Sequence, residues 1–456
     1  MTALAVRGGT VVLPGELRKA DVLVEGEVVA GISTAPSEAT ETVDASGCYV
    51  LPGGVDPHCH LMTDLPRATA AAARGGTTTV LSFTNPESGE SDLACFERRR
   101  GEVAAGVAKV DVGLHAMLYD PEHTSHEDLL ALKRAGAAAF KVFLSYPELG
   151  IMCSTRKLYE LMSSSKRLDL VVQVHCESGE LIEALVDQAV AEGRRGPGAF
   201  AGTRPPEAEE EAVVRTLAIA SVTGARCYLV HLSTASAVEQ VRLVRKRGRP
   251  DVAAEVCLHH LLFDDRVYAG GDAGRYLVAP PLRSASHVEA LWEAVLDRTI
   301  DAIGSDHCQA RSPVLAELSQ DGESDEYGIA GVGARLPVLL SEGLERGVAI
   351  ARVVELASAT PARLFGLSPR KGVLAPGADA DIVVWDPSIE TIFDAGTFDD
   401  GTGDSLYGGR RVRGRIRHVL LRGQVIVRDG ETVDGGPPGR LVLPTRCPPS
   451  LHTHLA

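Results

Sequence analysis

Leu51-Pro52-Gly53-Gly54-Val55-Asp56-Pro57-His58-Cys59-His60 reads as a short strand closing on two histidines one position apart. In an extended chain, side chains at i and i+2 point to the same side. Both imidazoles can therefore meet one metal ion while Cys59 turns away. A His-x-His pair alone is weak evidence, because most such pairs in a long chain are incidental. Its weight comes from later strand-like segments that also end in groups able to bind metal.

Working outward, short β-branched runs recur and are each followed by a helix-like stretch. The runs are Thr77 to Phe83, Val110 to Leu118, Ala137 to Leu144, Leu170 to His175, Cys227 to His231, Val252 to Cys257 and Thr299 to Ile303. Helical patterns lie at Thr69 to Arg74, Leu93 to Ala108, His126 to Arg134, Arg156 to Ser163, Glu180 to Glu192, Glu207 to Thr223, Ser236 to Arg247 and Ser286 to Leu296. With the strand entering His58, this alternation predicts an α/β fold, a (β/α)8 TIM-like barrel over residues 51–369. Active sites of that fold gather at the C-terminal ends of the strands. The two ends of the chain are different in texture, with short strands punctuated by Gly and Pro, as in Asp21-Val22-Leu23-Val24 and Asp381-Ile382-Val383-Val384-Trp385. They predict a small discontinuous β-sandwich domain from residues 1–50 and 370–440. Residues 441–456 are expected to form an extended C-terminal tail.

The chain of 456 residues carries a net charge of −15, which argues against a nucleic-acid or anionic-membrane partner. Nine cysteines show neither CxxC spacing nor small-domain density, so they read as reduced thiols. No basic-then-apolar leader opens the sequence and no apolar run approaches membrane-spanning length. A cytoplasmic protein is the expectation.

The predicted strand ends carry the chemistry. Ala138-Ala139-Phe140-Lys141-Val142-Phe143-Leu144 places a lysine inside an apolar strand, where an unpaired charge is costly. Either it joins a buried ion pair, or it is neutral and modified: an amine that adds carbon dioxide becomes a carbamate, a short anion suited to bridging two cations. Two further strands end in histidines, Val174-His175 and Val230-His231, and another in Gly304-Ser305-Asp306-His307. Imidazole and carboxylate donors suit Zn²⁺, with Mn²⁺, Co²⁺ and Fe²⁺ as competitors.

These features resemble the cyclic amidases of the amidohydrolase superfamily, the dihydropyrimidinases and hydantoinases, with allantoinases and dihydroorotases as relatives. The resemblance also rests on Gly75-Gly76-Thr77-Thr78-Thr79, Arg204-Pro205, Val256-Cys257-Leu258-His259-His260, Pro280-Pro281-Leu282-Arg283 and Ser358-Ala359-Thr360-Pro361. It implies one metal held by His58, His60 and Asp306, and a second held by His175 and His231. N6-carboxylated Lys141 would bridge the two cations, with zinc the expected metal. It further implies a shared hydroxide, Asp306 as general base and then acid, and Tyr146 donating to the developing oxyanion. Asp56 is expected behind the ligands, orienting the histidines. A homodimer or homotetramer acting on a small cyclic amide or ureide is implied as well.

The sequence also departs from the pattern. Leu61 and Met62 follow the histidine pair where dihydroorotases usually place an arginine. Only residues 61–74 separate His60 from Gly75, so a lid segment seen in hydantoinases is missing, which would admit a larger ring. Tyr327 stands where the family has an asparagine before Gly328, and Ala279 where it has a serine before Pro280. Both are expected to touch substrate. The alternatives are allantoinase or dihydroorotase activity, or a non-catalytic assembly scaffold of the same fold, against which all six retained ligand positions argue.

Overall fold

The computed structural model describes residues 2–35, 38–61, 64–248, 251–311, 313–319, 326–394, 396, 398 and 405–445. Eight parallel strands pair in chain order: β1 (Gly54–Cys59), β2 (Thr77–Phe83), β3 (Asp111–Met117), β4 (Ala139–Phe143), β5 (Val171–His175), β6 (Arg226–Leu229), β7 (Val252–Cys257) and β8 (Ala302–Gly304). Each is buried along its whole length, which is why the strands read as near-continuous apolar runs rather than alternating ones. The ring is completed by main-chain bonds beyond the strands proper. The Asp306 amide donates to His58 O at 2.9 Å and the His60 amide to His307 O at 2.7 Å. Closure thus falls on the residues that the sequence singles out.

Helices cover the outside, including Leu65–Arg74, Asp92–Ala104, His126–Ala135, Thr155–Leu168, Gly179–Ala191, Pro206–Thr223, Ala235–Lys246 and Ala285–Leu296. Ser91, Ser125, Ser154 and Thr234 each open one of them by accepting a hydrogen bond from a backbone N–H three residues on. Arg335–Glu345 is a helix that periodicity did not announce. It is buried over most of its surface, through Leu336, Val338, Leu339 and Leu340, and even its polar strip is partly buried, at Arg335 and Ser341. Two strands end earlier or start later than their apolar runs. His231 leaves β6 with φ of 39°. Thr299 to Asp301 precede β8, the Asp301 carboxylate accepting from the Ala254 amide at 2.8 Å.

Both termini build the β-rich remainder. Thr2–Arg7, Asp21–Glu25, Val28–Ser33 and Ala39–Asp44 form a four-stranded sheet. A seven-stranded sheet joins Thr10–Leu13, Glu16–Lys19 and Tyr49–Pro52 to Ile382–Ile392, Arg411–Leu421, Gln424–Arg428 and Glu431–Thr432. The seam between the two ends is the antiparallel pairing of Tyr49–Pro52 with Ile382–Trp385. Val6, Val11, Val22, Val50, Ile382, Val384 and Leu420 share the core behind it. Residues 439–445 dock on the barrel: Val442 N donates to Val112 O at 2.9 Å, and Val442 joins the buried cluster with Val55, Leu81, Tyr228 and Phe365. Residues 446–456 of the expected tail lie outside the described residues. Among the described residues no helix is long and apolar enough to cross a membrane.

Candidate metal centre

Each candidate ligand arrives on a strand or just past its end. His58 belongs to β1 and His60 follows it; Lys141 lies within β4 and His175 ends β5. His231 and Asp306 sit two residues beyond β6 and β8, with left-handed φ values of 39° and 45°. Non-glycine residues adopt that conformation at a cost, and such strain concentrates at functional sites. Here the turn swings both side chains inward from the barrel rim.

The donor atoms converge. His58 Nε2 lies 3.0 Å from Asp306 Oδ1 and 3.2 Å from Lys141 Nζ, while His60 Nε2 lies 3.6 Å from the same Asp306 oxygen. Across the site, His175 Nδ1 faces His231 Nε2 at 3.0 Å. His58, His231 and Asp306 form a compact buried set able to hold an ion. What turns the rings is a pair of buried glutamates. Glu255 on β7 accepts from His58 Nδ1 at 2.7 Å, the His231 amide at 3.0 Å and the Tyr228 hydroxyl at 2.7 Å. Glu177 accepts from His175 Nε2 at 2.7 Å and from Arg204 at 3.1 Å. With one ring nitrogen donating to a carboxylate, the other presents its lone pair inward, the arrangement that metal-binding histidines use.

Electrostatics agree with a cation at this spot. Burial pushes the Lys141 amine below its ordinary value, against the pull of Asp306 and Glu255. Its Nζ sits over the Phe83 and Phe143 rings, at 4.5 and 5.1 Å, and among the described residues no carboxylate reaches ion-pair distance of it. The buried ion pair considered from sequence is therefore absent. Burial lowers the His58 imidazole, but Glu255 and Asp306 outweigh it and raise the ring to about 9. Burial alone would raise the Asp306 carboxyl; His58, His231 and His60 hold it well below the usual range. Burial drops His60 and His231 well below the ordinary imidazole value. His60 and His231 are thus neutral imidazoles and Asp306 an ionised carboxylate at pH 7, while His58 holds a proton that a bound cation would displace.

A cavity of about 190 Å³ opens over these groups, lined by His60, Lys141, His175, His231 and Asp306 at its floor. The sequence profile of the amidohydrolase family matches residues 49–426, which spans the barrel and every donor above. The chain belongs to the amidohydrolase family. It is 35% identical to a D-hydantoinase of Geobacillus stearothermophilus over 96% of this chain and 95% of that protein. It is 33% identical to a D-hydantoinase of Ralstonia pickettii, over 94% of this chain and 96% of the relative. The crystal structure of a dihydropyrimidinase from Brevibacillus agri superimposes with a TM-score of 0.91 at 33% identity, covering 98% of this chain and all of that one. The amidohydrolase family is metal-dependent, and this chain carries a donor set that fits.

The amidohydrolase barrel brings Tyr146, Ala279 and Tyr327 to the cavity wall, together with Asn85, Tyr119, Leu149 and Arg311. Tyr146 has a φ of 64°; its ring packs 5.2 Å from His175, and its phenol lies beside that of Tyr327. Asp56 acts otherwise than expected. Its Oδ1 accepts from the main-chain amides of His58 at 3.3 Å and Ser305 at 3.1 Å, and its Oδ2 faces Arg335 at 3.5 Å. It fixes the β1 and β8 backbones, while ring orientation falls to Glu255 and Glu177, which sequence reasoning missed. The available signal was an acid inside the apolar run Val252-Ala253-Ala254-Glu255-Val256-Cys257, the same signal that marks Lys141. Of the short link after His60, residues 62 and 63, including the Met62 that departs from the arginine pattern, lie outside the described residues. The helix Leu65–Arg74 begins at once beyond them. Part of the mouth is instead walled by the antiparallel pairing of Ala310 with Tyr327 and Arg311 with Glu326.

Proposed function

We propose that this protein opens a hydantoin- or dihydropyrimidine-like ring by hydrolysing a cyclic C–N bond, with two divalent cations, zinc by preference, at the barrel mouth. One cation is assigned to His58, His60 and Asp306, and the other to His175 and His231. Lys141, carboxylated at Nζ, joins them. When bound, such cations acidify a water and polarise the scissile carbonyl. The fit is supported by ring nitrogens turned inward by Glu255 and Glu177, and by burial of the Lys141 amine, which favours the neutral form that adds carbon dioxide.

The protein's own groups do the rest. Asp306 is ionised and can take a proton from the attacking water, then return it to the departing ring nitrogen. Tyr146 stays protonated, since burial raises its phenol well above the ordinary value, and donates toward the oxygen on which negative charge develops. Phe143, Ile151 and Val278 exclude water around the ring, and a substituent on the ring would meet Tyr119, Leu149 and Arg311.

The observation that carries this reading is the meeting of six side chains from five barrel strands, five of them lining one cavity and His58 buried against Asp306 and Lys141, in a chain 35% identical to a D-hydantoinase. Hydrolysis of hydantoin, dihydrouracil, allantoin and dihydroorotate by metal-replete protein is the test. Turnover of one of the first two, abolished by chelation and restored by zinc, is expected. Background rates on all four, or turnover indifferent to chelation, would sink the reading.

A further inference from the structure

Cys257-Leu258-His259-His260 has no part in the chemistry above. Cys257 ends β7 in an extended conformation and caps the short helix Leu258–Leu262. The turn from strand to helix folds positions 257, 259 and 260 back on one another. One donor atom from each lies within 4.8 Å of the others, and the three residues are 0%, 0% and 2% exposed.

The hydrogen bonding of these rings points to a ligand. His260 Nε2 donates to Pro280 O at 2.9 Å, which leaves Nδ1 as the lone-pair nitrogen, and Nδ1 has no protein partner. Neither ring nitrogen of His259 has one. A buried imidazole nitrogen without a partner is costly, and three such nitrogens lie on two adjacent rings whose centroids are 4.3 Å apart. A histidine that gives one N–H to a carbonyl and leaves its other nitrogen free beside a thiol and a second imidazole has the hydrogen bonding of a metal ligand. The Cys257 sulfur makes one long contact, 3.7 Å to Glu255 Oε1. None of the three residues lines the catalytic cavity.

We propose that Cys257, His259 and His260 bind a further cation, of the borderline-to-soft class that mixed thiolate and imidazole donors take: zinc in the cell, with cobalt(II) as its visible substitute. Binding replaces the Cys257 S–H bond by a metal–sulfur bond, and the proton leaves to solvent. Buried and absent from the lining of the substrate cavity, these three ligands would let the ion tie the end of β7, and with it Glu255, to the helix that follows.

The centre described earlier contains no sulfur ligand, so sulfur distinguishes the two sites and the outcome does not depend on the catalytic reading. The full chain, stripped by chelation, is reloaded with Co²⁺ or Zn²⁺ and its metal content measured. Wild type should show a thiolate-to-cobalt charge-transfer band in the near ultraviolet that saturates at one equivalent. Cys257→Ser and His259→Gln should lose that band and one equivalent of metal. If neither variant folds, zinc X-ray absorption on the wild type decides: a sulfur neighbour at about 2.3 Å supports the site, and nitrogen and oxygen neighbours alone overturn it. A wild type without the cobalt band, or Cys257→Ser with unchanged metal content, overturns it equally.

Discussion

At the scale of single residues, each assigned role separates metal retention from turnover. Asp306→Asn keeps an oxygen donor beside His58 but removes the base, so metal content should largely persist. Turnover should fall by about 10²–10⁴, the usual worth of a positioned acid–base group; parallel metal analysis and kinetics would show it, and substantial residual activity would refute the base. Lys141→Ala should lose metal and activity together, with short carboxylic acids partly restoring both, because a free carboxylate can stand in for the carbamate. No rescue together with full metal occupancy would tell against the bridging role. His115 gives the pH dependence. Burial pushes its imidazole down to about 3, its one protein hydrogen bond being Nε2 to Pro57 O at 3.2 Å. The folded value lies below the unfolded value of about 6.5, so the unfolded chain binds the proton first. The contribution is therefore whole above pH 6.5 and is lost as pH falls from there toward 3. Between those limits, stability should fall about 1.4 kcal/mol per pH unit on this account, and denaturant titrations of a His115→Gln variant should show a shallower slope.

Elements deliver these groups only where the main chain packs very closely. Gly304, the last residue of β8, is such a place: a Cβ there would stand 3.0 Å from the Glu255 carboxyl and 3.0 Å from His58 Cβ. Its φ is not left-handed, so the constraint is space alone. Gly304→Ala should push β8 away from β1 and turn the His58 ring off its glutamate. A fall in metal affinity of roughly 10–100-fold, with circular dichroism preserved, is the expected result; unchanged affinity in a metal-competition titration would show that the rim can give way. The same element scale explains why alternation found the barrel. Strands buried on both faces and helices capped by Ser or Thr leave local marks in the sequence, whereas Arg335–Glu345, opened by no capping side chain and buried over most of its surface, leaves fewer.

The molecule as a whole is held together at the opposite, N-terminal end of the barrel. Lys371 Nζ bonds Asp111 at 2.6 Å, Asp381 at 2.8 Å and Asp379 at 2.8 Å, and Arg422 completes the cluster against Asp111. Asp111 begins β3, while Asp381 and Arg422 flank strands of the seven-stranded sheet, so one buried lysine ties barrel to β domain. Lys371→Met should strand three carboxylates, two of them fully buried. Removing one partner of a buried pair costs about 3–5 kcal/mol, which the denaturant midpoint would register. A midpoint within error of wild type would mean that Arg422 neutralises the cluster alone.

Much of this was legible in the chain, and the reason is physical. The α/β alternation is local periodicity, and the donors stand at fixed offsets from their strands, so the barrel, the donor types and the rim they occupy follow from sequence. A lysine inside an apolar strand announces itself because burial makes charge expensive. Tertiary structure alone decided which nitrogen of each ring faces inward, for the carboxylate that turns His58 lies 197 residues away. It likewise decided that Asp56 serves the backbone, that Tyr146 meets Tyr327, and that Val442 joins the buried cluster with Val55 and Leu81. No local pattern encodes such contacts, because they exist only once the chain has brought distant segments within a few ångströms of one another.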